Sequence, residues 1–174
     1  MKVCNLLAIA AAAMLAVSAS ARAETKVELK GTHLCCGQCV KAVGDILKGV
    51  EGASGKCDTK NKTVTITAKD DETAQKALDA LAAGGFHGDT GDKKLAIKDD
   101  SGAKPGKVKT LTLTEVHNCC GQCNTAIKNA LKTVDGVKAD TAKPKADSFE
   151  VTGDFDAEAV IKALNKAGYH AKVK

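Results

Sequence analysis

His33-Leu34-Cys35-Cys36-Gly37-Gln38-Cys39 returns 84 residues later as His117-Asn118-Cys119-Cys120-Gly121-Gln122-Cys123. The same offset pairs Ala42 with Ala126, Leu47 with Leu131, Lys48 with Lys132, Val50 with Val134 and Gly52 with Gly136. Gly85-Phe86-His87 meets Gly168-Tyr169-His170 after a small register shift. A fixed-period self-match of this kind marks two copies of one structural unit.

Each copy reads the same way outward from its cysteines. Upstream, Val27 and Leu29, like Leu111 and Leu113, alternate as a half-buried strand. Downstream, Val40, Val43 and Leu47 recur at helical spacing, as do Ile127, Ala130, Leu131 and Val134. Gly49 and Gly52 are expected to close the first helix, and Gly136 its counterpart. Val64 and Ile66 alternate with threonines as a strand, matched by Phe149 and Val151. A second helix carries Ala74, Ala77, Leu78 and Leu81, mirrored by Ala157, Val160, Ile161 and Leu164, with Asp71 and Asp156 placed to cap or charge its start. A weaker strand signal lies at 50–59 and at 137–141. A Gly-aromatic-His turn then leads to a last strand.

The expected order is β-α-β-β-α-β, and the fold class α+β: two tandem ferredoxin-like βαββαβ domains after a cleavable signal peptide. The domains are read as 24–91 and 107–174. The polar stretch 92–106, with Pro105, reads as a linker, in which Leu95-Ala96-Ile97 could add a short strand.

Residues 1–23 fit an export signal. A basic start at Lys2 precedes an apolar run from Leu6 to Val17 and an Ala21-Arg22-Ala23 cleavage pattern. The run is shorter than the roughly 20 residues a membrane-spanning helix needs. A periplasmic or secreted location and no stable membrane insertion are therefore expected. Removal would take away Lys2 and the only arginine, leaving 24 basic against 21 acidic residues. Without arginine and with aromatics at 2%, bidentate base readout and base stacking both lack their side chains, which excludes nucleic acid as a partner.

Cys4 would leave with the signal, and seven cysteines would remain. An odd number cannot all pair within one chain. Six lie in the two tight clusters instead of being scattered as staples, a pattern that points to chemistry. Two thiols three positions apart, one in a loop and one at a helix start, can converge on one ion. The helix N-terminus favours the thiolate, and soft sulfur selects Cu(I), Hg(II) or Zn(II). The metal ligands expected are Cys36, Cys39, Cys120 and Cys123, with Cys35, Cys119, His33 and His117 as additional candidates. Cys57 has Thr141 at its matching position and reads as a strand residue. His87 and His170 read as surface residues, and Phe86 and Tyr169 as packing that shields the loops. No Ser-His-Asp set, phosphate loop or paired catalytic carboxylates is present, so no enzymatic activity is expected.

With those motifs stated, each copy resembles a heavy-metal-associated domain, the module of copper chaperones, the periplasmic mercury-binding protein and the metal-binding arms of metal-transporting ATPases. That family carries Cys-x-x-Cys between its first strand and first helix, here Cys36/Cys39 and Cys120/Cys123. Where the family has Gly-Met-Thr before its first cysteine, this chain has His33-Leu34-Cys35 and His117-Asn118-Cys119. Leu34 can replace the buried methionine; Asn118 does so less easily. The resemblance implies a monomeric carrier, buffer or sensor of a soft metal ion, Cu(I) first. Its implied partner is another metal-transfer protein or a metal-transporting ATPase. Two alternatives stand beside it: a thiol-disulfide oxidoreductase, whose thioredoxin-type element order and cis-proline are missing here, and a disulfide-stapled interaction protein.

Overall fold

The computed structural model describes residues 23–174, so the expected signal segment lies almost wholly outside the described residues. Among those described, no helix is long and apolar enough to cross a membrane.

The first repeat runs β1 (Thr25–Lys30), α1 (Gly37–Lys48), β2 (Ala53–Asp58), β3 (Thr63–Ala68) and α2 (Asp71–Ala83). Its sheet is antiparallel in the order β1-β3-β2, with Val27 opposite Ile66 and Leu29 opposite Val64. Those apolar residues share one buried face, while Lys26, Glu28 and Lys30 point to solvent. Against it α1 lays Cys39, Val43 and Leu47, and α2 lays Ala74, Ala77, Leu78 and Leu81. Cys39 takes the core position one turn before Val43, and Val40 is only half-buried. The cysteine is thus part of the core stripe of its own helix. Each fully buried leucine or valine here stabilises the fold by about 1.5–3 kcal/mol.

The second repeat runs β4 (Lys107–Thr114), α3 (Gly121–Leu131), β5 (Val137–Asp140), β6 (Phe149–Asp156), α4 (Ala157–Lys166) and β7 (Lys172–Val173). Its strand order, β5-β6-β4-β7, is that of the split βαβ unit. Cys123, Ile127, Ala130 and Leu131 form the buried stripe of α3. Both weak strand signals are real strands, β2 and β5.

Three expectations change. The first repeat does not form its closing strand: Lys30 and Asp89 exchange backbone hydrogen bonds of 2.8 Å each way, and the pairing stops there. The Asp89 carboxylate accepts from Gly91 N at 2.8 Å, so the chain turns off the sheet edge at once. Second, α3 ends on Lys132. Gly136, at φ +85°, serves the turn into β5, where its carbonyl accepts from Asp154 N at 2.9 Å. Third, Leu95–Ile97 takes no strand. The segment lies against both repeats instead: Gln75 donates to the Ala96 carbonyl, Ser101 is buried, and Val173 N donates to Ser101 O at 2.7 Å. Helix starts behave as expected. Asp156 accepts from Ala159 N, and Asp70 accepts from Thr73 N with Asp71 charging the first turn of α2.

The two repeats meet through their Gly-aromatic-His turns. His87 N donates to Gly168 O and His170 N to Gly85 O, both at 3.0 Å, which pairs Phe86 with Tyr169 like two short antiparallel strands. Gly85 and Gly168 sit at φ +82° and +88°, and each has the other repeat pressed against its Cα. A Cβ on Gly85 would stand 2.3 Å from His117 N, and one on Gly168 would stand 2.4 Å from His33 N. His170 is consequently buried and His87 half-buried, where the sequence suggested surface residues. The cause is the contact between repeats, which no single copy reveals.

Gly85→Ala is expected to open this junction while leaving each repeat folded. The left-handed conformation alone costs about 1–2 kcal/mol, before the backbone clash. Small-angle scattering should show a larger radius of gyration with unchanged far-ultraviolet dichroism. The junction is also acid-sensitive. Burial, and then the neighbouring His170, lower the His87 pKa from 6.5 to about 4. The folded-state value lies below the unfolded one, so unfolding takes up a proton in that window. The stability this group contributes is complete above pH 6.5 and falls as pH drops towards 4. Urea midpoints measured across the window should decline, and less steeply in His87→Gln.

Candidate metal centre

Each cysteine loop delivers its sulfurs by the same local device. Cys36 is the extended N-cap of α1 and Cys120 that of α3. The third cysteine follows inside the first turn, on the buried stripe. Cys35 and Cys119 precede the caps. Because the Gly-aromatic-His turns dock the repeats face to face, the two loops meet head-on.

The result is one cluster of six thiols, where the repeat pattern suggested two separate sites. Within the first loop Cys39 stands 3.6 Å from Cys35 and 3.7 Å from Cys36, sulfur to sulfur. Across the junction Cys35 is 3.0 Å from Cys123, while Cys119 is 3.7 Å from both Cys36 and Cys39. Cys39 to Cys123 is 3.7 Å and Cys120 to Cys36 is 3.8 Å. All seven cysteines of the described residues are free thiols. Cys57 stands apart, half-buried in β2 opposite Val64, with burial pushing its pKa up.

The electrostatics of the cluster are those of shared protons. The Cys36 thiol is drawn down to about 7, first by the backbone N–H of Cys39. This is the helix N-terminus acting on sulfur. Hydrogen bonding to Cys39, assisted by Cys35 and Cys119, draws Cys123 down to about 3 against the cost of its burial. Its bond to Cys123 pushes Cys39 the other way, and burial raises Cys35 to about 12 and Cys119 further. Cys39 and Cys123 occupy equivalent places in the two repeats. Their mutual hydrogen bond therefore favours the thiolate at Cys123 and the thiol at Cys39. A metal ion would displace those protons and take their place.

Behind the sulfurs lies a stack of rings. His33 is sandwiched between Phe86 at 4.6 Å and Tyr169 at 3.9 Å, and His117 lies 4.5 Å from Phe86. His33 Nδ1 is 2.6 Å from the Gly168 carbonyl, which can only accept, so Nδ1 carries the hydrogen. Burial lowers the His33 pKa to about 4 and lowers that of His117 as well. Both rings are therefore neutral near pH 7. His33 Nε2 and His117 Nε2 are buried without a hydrogen-bond partner, and one nitrogen of each ring, together with Cys39 Sγ, forms a group whose atoms lie within 4.8 Å of one another. A buried imidazole lone pair left unpaired beside thiols is a donor set that fits a metal ion. Tyr169 Oη donates to the Cys123 carbonyl at 3.3 Å, so the ring also anchors the start of α3.

All eight candidate side chains thus lie close together, and they do so across the repeats, which the sequence did not reveal. The departures before the first cysteine are absorbed differently. Leu34 is buried as an apolar plug. Asn118 is also buried, and its Nδ2 donates to the Lys143 carbonyl at 2.8 Å and to Asn124 Oδ1 at 3.1 Å. Lys143 in the 141–148 loop thereby pairs the amide NH2 of Asn118 where the first repeat has a hydrophobic residue, while Asn118 Oδ1 stays buried without a partner. On the outside, Cys36, Gly37, Gln38, Cys120, Gly121 and Gln122 line an open depression over the cluster.

Residues 115–170 match the heavy-metal-associated domain family. The matched stretch spans the second Cys-Cys-x-x-Cys loop and runs to His170. Among solved structures, the solution structure of the N-terminal soluble domains of Bacillus subtilis CopA is similar at 13% identity. That likeness covers 88% of this chain and 95% of that chain, with a TM-score of 0.31. No curated protein matches the chain. The stretch matched by the family model lies in the second repeat, and its cysteine loop is half of the cluster.

The electrostatic asymmetry is open to chemical test. At pH 7.5 under argon, iodoacetamide should alkylate Cys36 several-fold faster than the half-buried Cys57, and Cys39 slowest of the three. Peptide mass spectrometry of a time course reads this out.

Proposed function

We propose that the chain is an exported soft-metal-binding protein, a carrier or buffer that takes up Cu(I) through its cysteine loops and passes it on. The observation that carries this reading is the cluster itself: six free thiols from two repeats in mutual contact, aimed at by two helix N-termini and backed by two unpaired imidazole nitrogens. The match of residues 115–170 to the heavy-metal-associated domain family supports it.

Thiolate sulfur favours soft ions, and Cu(I) accepts two or three such ligands, the coordination that closely spaced cysteines supply. Hg(II) shares the preference. Zn(II) favours four ligands in a closed structural site. Cys36 and Cys120 sit at the rim of the depression, with Cys36 the thiol nearest to ionisation at neutral pH. Transfer would run through them by thiolate exchange: an incoming thiolate joins the ion, and then a rim cysteine leaves it. An acceptor with exposed thiols of its own, a second metal-transfer protein or the metal-binding arm of a metal-transporting ATPase, fits that chemistry. Nothing in the arrangement requires a reaction other than ligand exchange. The export pattern at residues 1–23 supports a periplasmic or secreted location, where a reduced copper site would be loaded as Cu(I).

Anaerobic titration with Cu(I) against a chromophoric chelator tests this. The wild-type protein is expected to strip copper from the chelator. The variant with Cys36, Cys39, Cys120 and Cys123 all changed to serine is expected to lose at least 100-fold in affinity. Equal uptake by the two proteins would end the reading. Competition with Hg(II) and Zn(II) in the same assay ranks the metals.

A further inference from the structure

One ion per Cys-x-x-Cys loop would need only four sulfurs, two in each repeat. Six are present, and their arrangement is more specific than a crowd. Beyond the contacts already given, Cys123 stands 3.5 Å from Cys119 and 3.8 Å from Cys120. Cys35, Cys36 and Cys120 form one group with sulfurs within 4.8 Å of one another, and Cys119, Cys120 and Cys123 form another. Only Cys35 and Cys119, Cys36 and Cys123, and Cys39 and Cys120 are not neighbours. Six points, each beside all the others but one, are the corners of an octahedron.

An octahedron of donors has four alternate triangular faces that together use every corner twice. Here they are Cys35–Cys39–Cys123, Cys35–Cys36–Cys120, Cys36–Cys39–Cys119 and Cys119–Cys120–Cys123, each with its sulfurs within 4.8 Å of one another. Three sulfurs around one ion at about 2.3 Å stand about 4 Å apart. The edges of 3.5–3.8 Å are close to that spacing, and the 3.0 Å edge from Cys35 to Cys123 needs only a modest opening. An ion on each face would have three thiolate ligands, and each thiolate would bridge two ions.

We propose that the chain binds four Cu(I) ions as one thiolate-bridged cage built from all six loop cysteines of both repeats. This rests on the soft-metal reading above and adds its stoichiometry and its dependence on the docked repeats. Six thiolates bring six negative charges and four Cu(I) four positive ones, so the cage carries two negative charges, and the protons still on sulfur pass to solvent as copper binds. Copper enters and stays as Cu(I), so no electron moves. The start of α1 and the start of α3, capped by Cys36 and Cys120, direct two partial positive charges at that dianion. Zn(II) fits the same cage poorly, because six sulfurs shared among four ions give each only three ligands where zinc takes four. Cys35 and Cys119, which a one-ion loop would not use, acquire a purpose as one opposed pair of corners.

The test is anaerobic native mass spectrometry of the reduced chain during titration with a Cu(I)–acetonitrile complex. Bridging couples the ions, so the spectra are expected to show apo and four-copper protein with little of the one- and two-copper species. Copper X-ray absorption of the loaded protein should show copper–copper scattering. Cys35→Ser with Cys119→Ser removes two opposite corners and should cut capacity from four ions to two or fewer, whereas Cys57→Ser should still take four. Wild-type protein that saturates at two ions without copper–copper scattering would overturn the cage and leave the soft-metal reading intact. Failure of the wild type to take up any copper would remove both.

Discussion

The thiol cluster exists because two Gly-aromatic-His turns exchange a pair of backbone hydrogen bonds. His87 N to Gly168 O and His170 N to Gly85 O bring the two repeats together with their cysteine loops opposed. Gly85 and Gly168 permit this because a side chain at either would occupy the space of the partner's backbone. The bonds are short of water: Phe86 and Tyr169 are fully buried, and His33 stacks between them. Aromatic stacking and backbone pairing therefore set the distance between sulfurs that are 80 or more residues apart in the chain.

That constraint links stability to chemistry. The same Gly168 carbonyl accepts from His87 N and from His33 Nδ1, so the bond that joins the repeats also selects the tautomer of the ring behind the sulfurs. Cys39 and Cys123 are core residues of their helices as well as members of the cluster. Little of the binding surface is free to rearrange independently of the fold. A preorganised set of donors loses less conformational entropy when an ion arrives, and its thiols are held close enough to share protons until then.

The two repeats are alike in sequence but not in finish. The second closes its sheet with β7 paired to Leu113 and Thr114. The first replaces that strand by a single bridge and sends the chain away through an Asx turn. The departing segment is held down: Asp100 lies 2.8 Å from His170 Nε2 and 3.3 Å from Lys172 Nζ. Alternation and helical periodicity could not show this, because the turn is made by a polar Asx bond at Asp89 and the segment beyond it is held by charged groups of the other repeat.

Read as a string, the chain determined its duplicated unit, its strand-loop-helix order, the place of each cysteine at a helix start and the soft character of the ligands. Those properties are local: periodicity, capping and the spacing of three sulfurs within five residues. Tertiary structure alone decided that the two loops share one centre, that Cys35 and Cys119 join it, that His170 is buried, and that His33 presents an unpaired nitrogen to the sulfurs. Each of these depends on contacts between residues far apart in sequence, carried by backbone groups and by glycines whose role is to leave space. Residue identity does not encode such contacts until the chain has folded.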